Sequence, residues 1–229
     1  SFPCTLPRPL SRGYMKGVDF GQYRVCEKTD GARYFMLICG GVHSSELFGC
    51  WLIDRNAQPF RIDSPYLPLR EFCRDYASRG PTLLDGEIAV TPKYDPSKHS
   101  FFLGAGVPVF MVFDAVCVNG ENIADDPLQT RENKLFTDMV LRFVEATKIA
   151  RSGDPGVLAY FPFFINRKKM FHVNELGLLQ RLLRKEGSEW VYCEEEKQGV
   201  LKRFHQSDGL IFTHVVRSKI NFKSFNLLF

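Results

Sequence analysis

Four short segments of this chain hold residues that could do chemistry together. The first, Glu27-Lys28-Thr29-Asp30-Gly31-Ala32-Arg33, sets a lysine and an arginine on either side of an Asp-Gly pair. A lysine just past a strand, followed by a tight turn, is fixed in place by the backbone. Its amine is a nucleophile once it has lost its proton. The second segment, Leu84-Asp85-Gly86-Glu87, puts two carboxylates around a glycine. The third plants Asp114 after Phe113 in the most apolar stretch of the chain. A buried carboxylate needs a partner or a task, because an unpaired buried charge is costly. The fourth, Ser207-Asp208-Gly209-Leu210-Ile211-Phe212, is a further Asp-Gly leading into an apolar run. Each segment alone reads as a β-turn, where Asp-Gly is favoured, and a lone K-x-D-G is too short to be diagnostic. Three acid-glycine turns at strand edges, with a lysine and an arginine, are harder to dismiss.

The elements that must position these residues are mostly strands. Tyr23–Glu27, Arg33–Cys39 and Leu47–Asp54 are short, apolar and aromatic, with Gly or Asp between them. Gly40-Gly41 marks a hairpin-like turn between the second and third. Leu83–Val90 and Val109–Val118 read as further strands, the latter apolar enough to be buried on both faces. Gln129 to Arg151 predicts a helix with Phe136, Val140, Phe143 and Val144 on one stripe. A second helix is expected from about Glu175 to Lys185, N-capped by Asn174. Val157–Ile165 reads as a strand between them, and a last strand follows the Ser207-Asp208-Gly209 turn. Ser1 to Arg12, with Pro3, Pro7 and Pro9, reads as an extended arm. One α+β domain on antiparallel sheets is the simplest architecture for 229 residues.

Composition narrows the function classes. Hydrophobic residues make up 45% of the chain, which excludes disorder. The net charge of +4 permits a polyanionic partner without requiring one. The one compact basic run, Arg167-Lys168-Lys169, reads equally well as a solvated face. The apolar run Val107 to Val118 is broken by Asp114 and falls short of the roughly 20 residues a membrane span needs. The seven cysteines form no C-x-x-C pair, so neither zinc nor a disulfide framework is expected, and a reducing compartment fits.

Taken in order, the four segments resemble the motifs of the covalent nucleotidyltransferase superfamily: DNA ligases, RNA ligases and mRNA capping enzymes. K-x-D-G-x-R is Lys28 to Arg33, D-G-E is Asp85 to Glu87, and the aromatic-Asp motif runs from Phe110 to Asp114 and on to Asn119-Gly120. The acid-G-L-I-F motif is Asp208 to Phe212. The wording around Lys28 and Asp208 is closer to the capping guanylyltransferases than to ligases. The resemblance implies an ATP-grasp-like, DNA ligase/mRNA capping enzyme nucleotidyltransferase fold over residues 1–229. The family's next motif, a K-W-K-like lysine pair, and its C-terminal OB-fold are absent, so a chain truncated before them is expected, with weak GTP binding and little adduct formation.

The resemblance also implies the chemistry. The Lys28 amine would attack the α-phosphorus of GTP, release pyrophosphate, and pass GMP to a 5′-diphosphate RNA end. An ordinary lysine, with a pKa near about 10.4, must first be deprotonated. Arg33 would contact ribose or phosphate, and Glu87 the ribose or a metal. Asp208 would serve a metal site for Mg²⁺ or Mn²⁺. Phe113, or else Phe110, would stack on guanine. Lys168 and Lys169 are candidates for the triphosphate, Glu27 and Thr29 lie in the nucleotide-binding segment, and Asp30 would orient its loop. Implied partners are an RNA triphosphatase, a cap methyltransferase and RNA polymerase, with no membrane. The expected compartment is the nucleus, or the cytoplasm for a viral or unusual lineage. Two alternatives stand: an ATP-dependent RNA or DNA ligase adenylation domain, and a non-catalytic cap-binding domain of the same fold.

Overall fold

A computed structural model of the chain describes residues 8–9, 16, 18–39, 49–62, 80–90, 108–135, 163–195, 199, 201–215 and 225–228. In chain order the strands are β1 (Arg8–Pro9), β2 (Tyr23–Thr29), β3 (Ala32–Cys39), β4 (Gly49–Ile53), β5 (Pro59–Ile62), β6 (Thr82–Val90), β7 (Pro108–Val118) and β8 (Glu121–Asn122). Helix α1 (Leu128–Lys134) follows, then β9 (Phe164–Arg167), β10 (Phe171–His172) and helix α2 (Leu176–Leu182). The last strands are β11 (Leu183–Glu186), β12 (Glu189–Glu195), β13 (Leu201–His214) and β14 (Phe225–Leu228).

Two seven-stranded sheets carry the site. In one, β1, β14, β13, β12 and β11 lie side by side, with β2 on β13 and β10 on β2. In the other the order is β5-β4-β3-β6-β7-β8, with β9 on β7. Pairing is antiparallel except for β1 with β14 and β7 with β9. This is the α+β, antiparallel-sheet architecture expected. Val109 to Val112 of β7 are all buried, as an apolar strand covered on both faces should be. Its far end turns through Asn119-Gly120, both with positive φ (52° and 81°), into β8. Two such residues between antiparallel strands make the tight hairpin that Asn-Gly favours.

Several expectations are corrected. Of the three Asp-Gly pairs, only Asp30-Gly31 turns the chain, between β2 and β3. Asp85-Gly86 lies inside β6, and Asp208-Gly209 inside the 14-residue β13. At both places the register slips, between Asp85 and Gly86 against β7 and between Ser207 and Gly209 against β2. They are bulges, which re-aim a side chain without ending the strand. Lys28 stands within β2, not past it. The second helix begins at Leu176, after a 3-10 turn over Val173–Glu175. Glu175 accepts from the His172 backbone N–H at 2.8 Å and so caps that 3-10 turn, and the helix itself starts from Glu175, not Asn174. That helix stops at Leu182 because Leu183–Glu186 pairs with β12 across Gly187, whose φ is +64°. Of the long helix predicted from Gln129, only the stretch to Leu135 is described; Phe136, Val140, Phe143 and Val144 lie outside the described residues, as does Gly40-Gly41. Of the strand placed at Val157–Ile165, residues 157–162 lie outside the described residues; β9 runs over Phe164–Arg167.

Candidate functional site

The two bulged strands bring the separated segments together. On β13, Asp208 reaches across to β2, where its Oδ2 lies 2.5 Å from Lys28 Nζ. The Lys28 side chain keeps 24% of its exposure, so its amine is paired yet reachable. The other oxygen, Asp208 Oδ1, is buried without a hydrogen-bond partner among the described residues. Ser207 holds the bulge: its Oγ lies 2.9 Å from the Lys28 carbonyl and 3.2 Å from that of Gly209. The Asp30 N–H donates to the Gln206 carbonyl at 3.0 Å, while the residue itself is exposed. This suits a loop-orienting part for Asp30. Gly31 is demanded by crowding: a Cβ there would sit 2.4 Å from the Ile88 carbonyl oxygen.

The second sheet supplies the opposite wall. Arg33 opposes Glu87 in the β3–β6 register. Its guanidinium grips Asp85 in two places, Nε to Oδ1 at 3.0 Å and Nη2 to Oδ2 at 2.8 Å. Asp85, one of the two acids of the D-G-E segment, is thereby the partner of Arg33. Burial pushes the Glu87 pKa up and Asp208 adds to this, while Lys168, Lys28 and Arg33 pull it back. Lys168 Nζ stands 3.9 Å from Glu87 Oε2, which puts Glu87 among the site's charges.

Phe113 and Phe110 separate cleanly. Phe110 is fully buried in the core, tilted against Phe163 at 6.2 Å between centroids. Its ring fills the space beside Gly86, where a Cβ would lie 2.5 Å from Phe110 Cζ. Phe113 is only half-buried. Arg33 Cζ lies 5.4 Å from its ring centroid and Lys168 Nζ 5.8 Å. Phe113 is therefore the aromatic face on the site side.

The Arg167-Lys168-Lys169 run is not one solvated face. Arg167 pairs with Glu132 at 3.3 Å, and Lys169 is exposed with its ammonium 4.9 Å from the Phe171 ring centroid. Lys168 is 1% exposed. Its backbone N–H continues the β7–β9 ladder by donating to the Val112 carbonyl at 2.8 Å. Its Nζ stands 3.7 Å from Glu27 Oε1 and 3.9 Å from Glu87 Oε2, ion-pair distances too long for hydrogen bonds. Burial works to lower its pKa, but Glu27, Cys26 and Glu87 together outweigh that and the net direction is up. Glu27 is as buried as Lys168, and neither of its oxygens has a hydrogen-bond partner among the described residues. Thr29 is buried too, with its hydroxyl unpartnered in the same sense.

Asp114 does not join this group. Arg131 of α1 takes it bidentately, Nε to Oδ1 at 2.8 Å and Nη2 to Oδ2 at 3.0 Å, and also bonds the Asp126 carbonyl. Its task is to fasten α1 to β7. Sequence reasoning missed Arg131 and also His205, a buried histidine 3.3 Å from Glu27 Oε1. A lone histidine in a strand gives no signal of such a contact.

Among the described residues, no group of three or more His, Cys, Asp or Glu could hold a metal ion. A hard cation that keeps waters and shares substrate oxygens needs only one or two carboxylates. The orphaned Asp208 Oδ1 and the neighbouring Glu87 meet that need. No helix among the described residues is long and apolar enough to cross a membrane.

A family described as "mRNA capping enzyme, catalytic domain" matches residues 1–228. The mRNA-capping enzyme subunit alpha of Eremothecium gossypii is 31% identical over 199 residues, covering 84% of this chain and 36% of that protein. The Candida glabrata protein of the same name is 29% identical, covering 84% and 37%. The Danio rerio mRNA-capping enzyme is 25% identical, covering 95% of this chain and 30% of its own length. The chain thus spans about a third of each of these relatives. A solved structure named Pmar-Lig_Pre superposes with a TM-score of 0.53 at 14% identity, over 99% of this chain and 46% of that one, and shares the fold. By the extent of the family match, this chain belongs to the mRNA capping enzyme catalytic-domain family.

Proposed function

We propose that this chain is the nucleotidyltransferase domain of a longer guanylyltransferase, which moves GMP from GTP through Lys28 to the 5′-diphosphate end of RNA. The observation that carries the reading is the Lys28–Asp208 pair, lodged among Glu87, Arg33, Lys168 and Phe113. The Lys28 amine attacks the α-phosphorus of GTP. A P–N bond forms, the bond to the bridging oxygen breaks, and pyrophosphate leaves with the electron pair. The amine must shed a proton, and Asp208 Oδ2 is the acceptor within reach at 2.5 Å. In the second step a β-phosphate oxygen of the RNA end attacks the same phosphorus and frees Lys28.

The other residues bind and orient. Phe113 offers a face for the guanine to stack on. Arg33, held by Asp85, presents a fixed cationic fork to the ribose or phosphate. Lys168, Glu27 and Thr29 supply buried polar atoms at the nucleotide. Asp208 and Glu87 would hold a divalent ion, Mg²⁺ or Mn²⁺, which when bound neutralises phosphate charge. The fungal relatives are named as alpha subunits. We extend this to a partnership with an RNA triphosphatase, and further to a cap methyltransferase and RNA polymerase, acting in the nucleus, or in the cytoplasm if the lineage is viral.

The test is labelling of the native-length protein with α-labelled GTP or ATP, each with Mg²⁺ or Mn²⁺. GTP labels the protein and ATP does not. Labelling by ATP alone would favour a ligase adenylation domain. Nucleotide bound without any label would favour a cap-binding module.

A further inference from the structure

We infer that His205 is a positioning residue of this site: as an imidazolium it fixes the Glu27 carboxylate, and through it Lys168 and the end of β2 that carries Lys28. The claim of an effect on catalysis rests on the proposed guanylyltransferase reading; the claim about the ring does not.

His205 is 1% exposed and lies on β13 opposite Tyr192 of β12. Its Nδ1 is 2.8 Å from the Gln206 carbonyl oxygen. A carbonyl only accepts, so Nδ1 carries a hydrogen. The other nitrogen, Nε2, lies 3.3 Å from Glu27 Oε1, within ion-pair distance, although neither atom completes a hydrogen bond among the described residues. In a neutral ring with its proton on Nδ1, Nε2 would set a lone pair beside a buried carboxylate. The pair needs one more proton.

Two atoms could take it. Glu27 Oε1 also faces the Lys168 ammonium at 3.7 Å, and a cation there favours the ionised carboxylate. The proton therefore belongs on Nε2. The surroundings agree. Tyr192 stacks on the imidazole at 5.2 Å and 24°, and Phe204 tilts against it at 5.3 Å. Aromatic faces attract a cation. The other titratable groups in this pocket are Cys26 and Tyr192, whose pKa values burial raises, and Glu87 beyond Lys168. Glu27 and Glu87 flank the ammonium of Lys168; Lys28 and Arg33 also act on Glu87, and the imidazolium is the second cation beside Glu27.

The consequence runs along the chain. Glu27 is bonded directly to Lys28, and β2 is tied to β13 by two neighbouring ion pairs, His205 to Glu27 and Asp208 to Lys28. The first is buried and sets the backbone from which the second reaches. His205 touches no reacting atom in this arrangement. Small displacements of a reacting group are costly in rate, so a loosened Glu27 should slow adduct formation more than it weakens GTP binding.

The experiment has two arms on the native-length protein. In the first, ¹⁵N-histidine spectra at neutral pH, with His205 assigned by loss of its signal in His205→Gln, show both ring nitrogens protonated. A bare Nε2 overturns the proposal. In the second, the rate of GMP adduct formation and the KM for GTP are measured for His205→Leu, Glu27→Gln and the double variant. His205→Leu loses about tenfold or more in rate with little change in KM, and the double variant is no slower than Glu27→Gln alone. Additive losses in the double variant overturn the claim that His205 acts through Glu27. If His205→Leu does not fold, His205→Gln takes its place in the same cycle, with a smaller loss expected. If the parent protein itself never labels with GTP, the guanylyltransferase reading fails, and the ring spectra alone decide for or against the imidazolium.

Discussion

Arg131 gives Asp114 two hydrogen bonds and the Asp126 carbonyl a third, whereas the ammonium of Lys168, equally buried, has no hydrogen-bond partner among the described residues. Both regions hold ionised groups away from water, and they spend them differently. Around Asp114 a rigid fork meets a carboxylate in the geometry that suits both, as bidentate pairs do. Around Glu27 the charges stand at 3.3 to 3.9 Å, close enough to balance one another but too far to hydrogen-bond fully. Unsatisfied buried polar atoms are costly in the free protein, and a bound ligand can satisfy them. The closed cluster is architecture. The open cluster is where we place the nucleotide.

The comparison breaks first if the closed cluster proves dispensable. Asp114→Ala leaves the Arg131 guanidinium buried without its carboxylate, and such a deletion costs about 3–5 kcal/mol of folding stability. Urea denaturation measures it, and a loss below about 1 kcal/mol would remove the distinction.

A middle-sized effect comes from the open cluster's own thiol. Burial pushes the Cys26 pKa up to about 12, with Glu27 and Glu87 adding to it against Lys168. The unfolded thiol titrates near about 8.5. Between those values the folded chain holds a proton that the unfolded chain has released, so stability falls as pH rises. The slope from this one group approaches about 1.4 kcal/mol per pH unit above about pH 9. Cys26→Ala removes that share of the slope. Parallel stability curves from pH 7 to 10 would contradict the placement of Cys26 in a dry pocket.

The smallest stability effect belongs to the residues with the largest functional one. The Lys28–Asp208 pair is partly exposed, 24% and 43%, and such pairs contribute no more than about 1 kcal/mol. Burial already disfavours the charged form of Glu87. Asp208→Ala and Glu87→Ala should hold the thermal midpoint near that of the parent while abolishing GMP transfer. Normal labelling in an unfolding-prone variant would move both residues from the site to the scaffold.

Much of this was legible in the sequence, for physical reasons. The strands carrying Lys28, Arg33, Glu87 and Phe113 announced themselves through apolar runs set apart by Gly and Asp. The gathering of Lys28, Arg33, Glu87 and Asp208 followed from the resemblance in the order of their motifs. What misled was local: Asp-Gly is a turn signal in a short window, yet at Gly86 the packing of Phe110 overrides it. At Gly209 the long pairing with β2 does the same. The start of α2 was displaced by the 3-10 turn before it, which Glu175 caps through the His172 N–H. Lys168 and His205 were harder still. Nothing in a basic run says which of its members is buried, and a lone histidine in a strand carries no mark of the carboxylate it will meet.

The most direct test of the central claim is the identity of the labelled residue. The native-length protein is incubated with GTP and Mg²⁺, digested under alkaline conditions, and its peptides are sequenced by mass spectrometry. A single GMP on Lys28, stable to base, labile to acid and absent from Lys28→Ala, is the result predicted here. GMP on any other lysine, or undiminished labelling of Lys28→Ala, would contradict it.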